Sequence, residues 1–244
     1  MKLLLTSAGI SNESIRNALV DLLGKPIEES KALFVPTAIY GIRGGAEIIR
    51  KVICGTAGDP FCEAGWKSLG LLELTALPTI KKELWAPMLQ ETDALLVGGG
   101  DCQYLCYWMQ RSGLAEMLPS LLPKIVYVGL SAGSMIMTRF GTTYGNHTLP
   151  TNSDTCFGMV DFAIHPHLDH EQFPDNSLVN QEKLAKTLLV PSYMIDDQTA
   201  IKFVDNTIEV VSEGKWKLFN PDKTRTANIS IAASGTDTAQ HQQE

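Results

Sequence analysis

Short, continuous apolar segments alternate with segments of helical periodicity through the first two-thirds of this 244-residue chain. Five such segments are predicted strands: residues 2–8, 31–35, 69–77, 94–97 and 125–128. Continuous apolar runs are typical of strands that are buried on both faces. Strands of this kind that alternate with helices form a parallel sheet with helices on each side. The sequence therefore predicts an α/β fold of three layers, doubly wound around a mostly parallel sheet.

The segments between these runs have the spacing of amphipathic helices. The first predicted helix begins after Ser11 or Asn12, either of which is a good N-cap, and ends at Leu23. Further helices are predicted over residues 44–54, 80–89 and 104–122, the last with a break at Gly113.

The pattern changes after about residue 140. A polar segment is followed by predicted strands at 159–164, 193–195, 200–204 and 207–211, and by a helix at 178–189. Asp205 and Asn206 separate the last two strands and predict a C-terminal β-hairpin. Residues 1–220 are thus expected to form a single α/β domain. Residues 221–244 lose the apolar periodicity and are expected to be a polar segment that is flexible at its end.

A glycine-flanked serine follows the fifth predicted strand, in Gly129-Leu130-Ser131-Ala132-Gly133. The pattern G-x-S-x-G between a strand and a helix is typical of a nucleophile elbow, but small residues also suit a tightly packed turn. Ligands of parallel sheets bind beyond the carboxyl ends of the strands, where the triplet Gly98–Gly100 also lies. If Ser131 is a nucleophile, the N–H groups of Ala132 and of this triplet are suited to bind an oxyanion.

A serine nucleophile needs a base, and the candidate bases are histidines that follow the strand at 159–164. His165 and His167 are compatible with a general base, a metal site or a solvated loop cluster. Asp196 and Asp197 follow the next strand; one of them could orient the base, although acidic pairs are also common in turns. The order serine, histidine, acid differs from that of the α/β-hydrolases and disfavours that superfamily.

Taken together, these motifs resemble the peptidase E (aspartyl dipeptidase) family of serine peptidases. This family is related to the cyanophycinases and has a fold like that of the class I glutamine amidotransferases. The resemblance covers about residues 2–220 and is carried by four motifs: the triplet at 97–101, the elbow at 129–133, the strand end at 164–167 and the acidic segment at 195–201.

The resemblance implies a serine peptidase that hydrolyses small peptides, like a dipeptidase, without a metal or other cofactor. It makes Ser131 the nucleophile, His167 the general base and Asp197 the acid of a triad. The backbone N–H groups of Gly99, Gly100 and Ala132 would form the oxyanion hole. Amidotransferases of this fold need a cysteine at the elbow, where this chain has Ser131.

The chain departs from the family pattern at two positions. Asp101 replaces an asparagine, and a negative charge there, near the oxyanion site, would oppose the reaction unless the side chain points away or is hydrogen-bonded. Asp197 replaces a glutamate. Asp196 and Asp154 therefore stay alternatives for the third triad residue. The departures also motivate a second hypothesis, a catalytically silent relative that binds a small metabolite or partner in the same crevice. Because residues 169–181 contain no Lys or Arg, strict aspartyl specificity is not expected.

Charge and cysteine content limit the partners and the compartment. The net charge is −7 and no basic block is present, which argues against nucleic acid and anionic membranes as partners. No segment approaches the roughly 18 apolar residues of a membrane span. The five cysteines lack zinc-site spacing, and the first residues do not resemble a signal peptide. A cytoplasmic monomer or homodimer is expected.

Overall fold

Two sheets form the framework of the molecule. The computed structural model describes residues 1–57, 61–142, 146–149 and 155–221. Its strands are β1 (Lys2–Thr6), β2 (Lys31–Val35), β3 (Ser68–Leu71), β4 (Ala94–Val97), β5 (Val126–Leu130), β6 (Ala163–His165), β7 (Ser192–Ile195), β8 (Thr199–Val204), β9 (Thr207–Ser212) and β10 (Trp216–Phe219). The larger sheet has the order β3-β2-β4-β5-β1-β8-β9, and the smaller one has the order β10-β7-β6.

The larger sheet is mostly parallel, as predicted. Strands β3, β2, β4, β5 and β1 run in the same direction, and only β8 and β9 are antiparallel to their neighbours. The α-helices are α1 (Glu13–Leu23), α2 (Gly45–Ile53), α3 (Lys82–Gln90), α4 (Cys102–Arg111), α5 (Leu114–Leu121), α6 (Ala132–Met135) and α7 (Leu178–Ala185).

Helices cover both faces of this sheet. Leu3 and Leu5 of β1 belong to a core cluster that includes residues of α3, α4 and α5, whereas Leu4 belongs to a second cluster with residues of α1 and α2. All three leucines are fully buried, because successive side chains of a strand point to opposite faces. The three-layer, doubly wound α/β fold is therefore confirmed.

The predicted C-terminal hairpin consists of β8 and β9. Asp205 and Asn206 connect them with φ angles of 45° and 72°, a left-handed conformation that short polar residues tolerate. Strand β10 was not predicted from the sequence. Three of its four residues are apolar, but its side chains are mostly exposed, and it pairs with β7 in the smaller sheet.

Several predicted boundaries were wrong where apolar residues are buried outside a strand ladder. The run at 69–77 leaves the sheet after Leu71, and the N–H of Leu74 donates to the Thr37 hydroxyl instead of a strand partner. The strand predicted from residue 159 begins only at Ala163, and the helix predicted to 189 ends at Ala185. The break at Gly113, with a φ of 81°, is confirmed and separates α4 from α5.

The connections that carry chemistry lie at one edge of the larger sheet. The carboxyl ends of β1, β4 and β5 lie side by side, because β5 pairs in parallel with both of the others. Among the described residues, no helix has the length and apolar character needed to cross a membrane. Asp154 and residues 222–244, on which two of the sequence predictions fall, lie outside the described residues.

Candidate active site

Ser131 lies at a sharp turn between β5 and α6. Its φ of 48° and ψ of −108° are an unfavourable combination for a residue with a Cβ, as in nucleophile elbows. The backbone is anchored because the Ser131 N–H donates to the Thr6 carbonyl oxygen at 3.1 Å. The Ser134 hydroxyl donates to the same oxygen at 2.7 Å. The end of β1 therefore holds the strained turn in place.

The two glycines of the elbow are required by close backbone contacts. A Cβ on Gly133 would lie 2.0 Å from the Val97 carbonyl oxygen, and a Cβ on Gly129 would lie 2.6 Å from the Ser134 nitrogen. The Tyr127 hydroxyl also donates to the Gly133 carbonyl oxygen at 2.6 Å. The turn is thus tightly packed and exposes a serine at the same time, so the two interpretations of the sequence pattern are compatible.

The structure brings Ser131, His167 and Asp197 together. Ser131 Oγ lies 2.9 Å from His167 Nε2, and His167 Nδ1 lies 2.7 Å from Asp197 Oδ1. An ionised carboxylate only accepts hydrogen bonds, so the proton of a neutral imidazole belongs on Nδ1. This tautomer leaves Nε2 as an acceptor for the Ser131 hydroxyl.

Ser7 contacts both His167 and Asp197, and sequence reasoning missed it. Its hydroxyl donates to Asp197 Oδ1 at 2.7 Å and accepts the His167 backbone N–H at 2.8 Å. The second bond supports a backbone with a φ of 58° at His167. The only sequence signal for Ser7 is its position at the carboxyl end of a buried strand.

Two aromatic rings pack around the imidazole of His167. Phe173 stacks on it with ring centroids 4.5 Å apart and an interplanar angle of 21°. His170 Nε2 lies 3.4 Å from Asp197 Oδ2, so a second imidazole faces the same carboxylate. These contacts restrict the rotation of His167 and favour the orientation in which it faces Ser131.

The electrostatic environment keeps Asp197 ionised. Burial by itself would raise the pKa of this carboxyl group, but the hydrogen bond and charge of His167, together with the Ser7 hydroxyl and His170, lower it below its ordinary value. The side chain is 25% exposed. Asp197 is therefore a carboxylate at neutral pH and can stabilise a positive charge on His167.

Asp196, the adjacent candidate, has a different environment. Its Oδ1 accepts hydrogen bonds from the Gln198 N–H at 3.1 Å and from the Thr199 hydroxyl at 2.7 Å, and its Oδ2 accepts one from the Lys215 N–H. Asp196 thus stabilises the turn between β7 and β8. No contact of Asp196 with a histidine is observed within the described residues.

Asp101 has a hydrogen-bonded side chain, one of the two arrangements that the sequence left open. Its side chain is fully buried and caps α4, accepting the Tyr104 N–H at 2.9 Å. The same oxygen lies 3.3 Å from His147 Nε2. The Asp101 side chain is therefore held by the protein at the start of α4.

Three backbone N–H groups near Ser131 have no acceptor within the described residues: those of Gly99, Gly100 and Ala132. A Cβ on Gly99 would lie 3.2 Å from the Cβ of Ser131, which shows how closely the triplet approaches the elbow. N–H groups this close to Ser131 are available to bind an oxygen of a substrate.

A cavity of about 150 Å³ opens beside Ser131 and His167. Its buried lining residues include Met135, His165 and Gln181, and its exposed ones include Asp175 and Asn180. Burial lowers the pKa of His165 to about 4, so this imidazole is neutral at pH 7. No group of three or more His, Cys, Asp or Glu side chains in the described part of the chain has an arrangement that could hold a metal ion.

One known protein family matches nearly the whole chain. The sequence model of peptidase family S51 matches residues 3–211. The chain belongs to peptidase family S51. It is therefore a serine-type peptidase with peptide substrates, and the resemblance to peptidase E is confirmed. No curated protein matches the chain.

Two solved structures share the fold of this S51 peptidase. A candidate peptidase E protein from Listeria monocytogenes EGD-e is 17% identical, with a TM-score of 0.65 over 87% of this chain and 98% of its own. A peptidase from an acI-B1 Actinobacterium is also 17% identical, with a TM-score of 0.57 over 91% of this chain and 95% of its own. At this level of identity the two structures support the fold.

Replacement of Gly133 by Ala tests the packing of the elbow. The new methyl group would overlap the Val97 carbonyl oxygen, so we expect the free energy of unfolding to fall by about 3 kcal/mol, measured by urea denaturation. Gly113→Ala is the control, since a Cβ at Gly113 meets no atom within 4 Å and only its positive φ is unfavourable, at about 1–2 kcal/mol. A Gly133→Ala protein as stable as the control would contradict this account of the elbow.

The lowered pKa of Asp197 predicts a pH-dependent contribution to stability. A carboxyl group with a lowered pKa stabilises the fold above its unfolded-state pKa of about 3.9, and this contribution disappears as the pH falls through the folded-state value. The difference in unfolding free energy between wild type and Asp197→Asn should therefore be largest above about pH 5 and shrink at lower pH. Urea denaturation across this range measures it, and a difference independent of pH would contradict the assignment.

Proposed function

We propose that this S51 peptidase hydrolyses small peptides with Ser131 as nucleophile, His167 as general base and Asp197 as the acid that orients His167. The observation that carries the proposal is the continuous chain of short contacts from Ser131 Oγ through both ring nitrogens of His167 to Asp197 Oδ1. These contacts have the geometry of a serine-protease triad, in which the three residues take the same roles although their order along the chain differs between folds.

In the first half of the reaction, Ser131 Oγ attacks the carbonyl carbon of the scissile peptide bond and its proton passes to His167 Nε2. Asp197 stabilises the imidazolium that forms, and its own pKa is low enough that it keeps its charge. His167 then donates the proton to the leaving nitrogen as the C–N bond breaks. A water molecule, activated by the same imidazole, hydrolyses the acyl-enzyme and regenerates Ser131.

The tetrahedral intermediates carry a negative oxygen, which needs preorganised donors. The N–H groups of Ala132 and of Gly99 or Gly100 are the donors that we assign to it. Their lack of any other acceptor in the described residues supports this role. These N–H groups follow the adjacent strands β4 and β5. The oxyanion hole therefore requires no movement when negative charge develops on the substrate oxygen.

The size of the cavity supports small substrates. Its volume of about 150 Å³ is well below the roughly 300–1,000 Å³ of common small-molecule pockets. One amino-acid side chain fills such a space. A dipeptide or a short peptide is the substrate that we propose, from the resemblance of the motifs to the dipeptidases of the peptidase E family, and the cavity would hold one of its side chains.

A fluorophosphonate probe tests the nucleophile. We expect wild type to become covalently labelled at Ser131, and we expect Ser131→Ala to lose the labelling, because the probe reacts with activated serines. Ser134→Ala is the matched control: Ser134 lies in the same turn, but its hydroxyl donates to the Thr6 carbonyl oxygen. Labelling that persists in Ser131→Ala, read by mass spectrometry, would refute the assignment.

The adjacent aspartates provide a second test. Asp197→Asn is expected to lower kcat by about 10⁴-fold, as in other triads where the acid no longer holds the required tautomer. Asp196→Asn should lower stability by about 1–3 kcal/mol, since it disturbs the hydrogen bonds of the turn, with kcat changed little. Peptide hydrolysis and urea denaturation of both variants measure the contrast. The reverse pattern would make Asp196 the third triad residue.

A further inference from the structure

Two amide side chains in the lining of the cavity beside Ser131 are oriented by one backbone oxygen. Gln181 Nε2 donates to the Pro166 carbonyl oxygen at 3.1 Å, and Asn176 Nδ2 donates to the same oxygen at 3.2 Å. Each amide thus uses one of its two N–H groups on the protein, which fixes the orientation of the two side chains. Their carbonyl oxygens are left to face other groups.

One of these oxygens lacks a partner although it is buried. Gln181 is 4% exposed, and its Oε1 has no hydrogen-bond partner among the described residues. Rotating the amide so that its nitrogen and oxygen exchange places would not provide a partner, because Oε1 would then face the Pro166 carbonyl oxygen. An unpaired buried acceptor is costly, and a ligand that donates a hydrogen bond to it removes this cost.

The charges of the lining residues also favour a ligand that donates hydrogen bonds. Asp175 contributes a carboxylate at the exposed part of the cavity, and no Lys or Arg occurs among its described lining residues. His165, which is buried in the lining, is neutral at pH 7 and offers no positive charge. His165 Nε2 also lacks a partner among the described residues, and it donates or accepts according to the tautomer of the ring. A substrate carboxylate in this cavity would face Gln181 Oε1 and Asp175 with no cation among the described lining residues to balance it.

We propose that this cavity selects substrates whose side chain ends in an N–H donor, a carboxamide or an ammonium group, and that it excludes acidic side chains. The inference rests on the proposed function, because it assigns the cavity to the residue next to the bond that Ser131 attacks. Met135 and Leu184 line the same cavity and can pack against the methylene groups of a Gln or Lys side chain.

Peptides that differ only in Gln or Glu test the inference, because these side chains have nearly the same shape. We expect kcat/KM of the wild-type enzyme to be at least about tenfold higher for the Gln peptide, the effect of about one hydrogen bond to a buried acceptor. The same preference should appear in the dissociation constants of both peptides for Ser131→Ala, measured by calorimetry. Equal affinity, tighter binding of the Glu peptide, or binding of neither would overturn the inference.

Two variants separate the contributions of Gln181 and Asp175 to the selectivity of the cavity. Gln181→Met keeps the length of the side chain but lacks the acceptor, so the ratio of kcat/KM for the Gln and Glu peptides should fall towards one. An Ala peptide reports any general damage, and Gln172→Met, which lies outside the described lining, should leave the ratio unchanged. Asp175→Asn should weaken a Lys peptide by several-fold and spare the Gln peptide, because only the ammonium group carries a charge. An unchanged ratio in Gln181→Met would contradict the role of this acceptor.

These measurements distinguish failure of the inference from failure of the proposed function. If wild type hydrolyses none of the peptides while Ser131→Ala still prefers the Gln peptide, the cavity has the proposed selectivity and the proposed reaction is wrong. If hydrolysis depends on Ser131 but the Glu peptide is preferred, the proposed reaction is supported and the inference about the cavity is wrong.

Discussion

The carboxyl end of β1 is the constraint on which the rest of the site depends. The Thr6 carbonyl oxygen accepts hydrogen bonds from the Ser131 N–H and the Ser134 hydroxyl, and so holds both sides of the elbow. The next residue, Ser7, contacts both His167 and Asp197. Because β1 lies between β5 and β8 in the sheet, two consecutive residues connect three parts of the chain that are far apart in sequence.

This arrangement explains how the chain keeps unfavourable backbone conformations. Ser131 and His167 both have positive φ angles, which cost free energy in residues with a Cβ. Each is held by a hydrogen bond from its own N–H to the end of β1. The cost is offset by the packing of the sheet, and the side chains of Ser131 and His167 face each other at hydrogen-bond distance.

Sequence patterns were sufficient for the elements that are long, buried and local. The five parallel strands and the β8–β9 hairpin could be predicted because apolar runs and an Asp-Asn turn mark them directly. Strand β10 and the early end of β3 were not predicted, because β10 depends on its pairing with β7 and Leu74 is buried outside the ladder. The partner of His167 was assigned only by resemblance, because Asp196 and Asp197 have the same chemistry and adjacent positions.

The sequence by itself determined the doubly wound fold, the elbow around Ser131 and the set of residues from which a base and an acid had to come. These follow from hydrophobic periodicity and from the steric demands of a tight turn, which are properties of neighbouring residues. The tertiary structure alone decided that Asp197 rather than Asp196 faces His167, that Ser7 joins them, that Asp101 caps a helix, and that Gln181 presents an unpaired oxygen. Those outcomes depend on hydrogen bonds between distant segments, whose directions only the assembled sheets define.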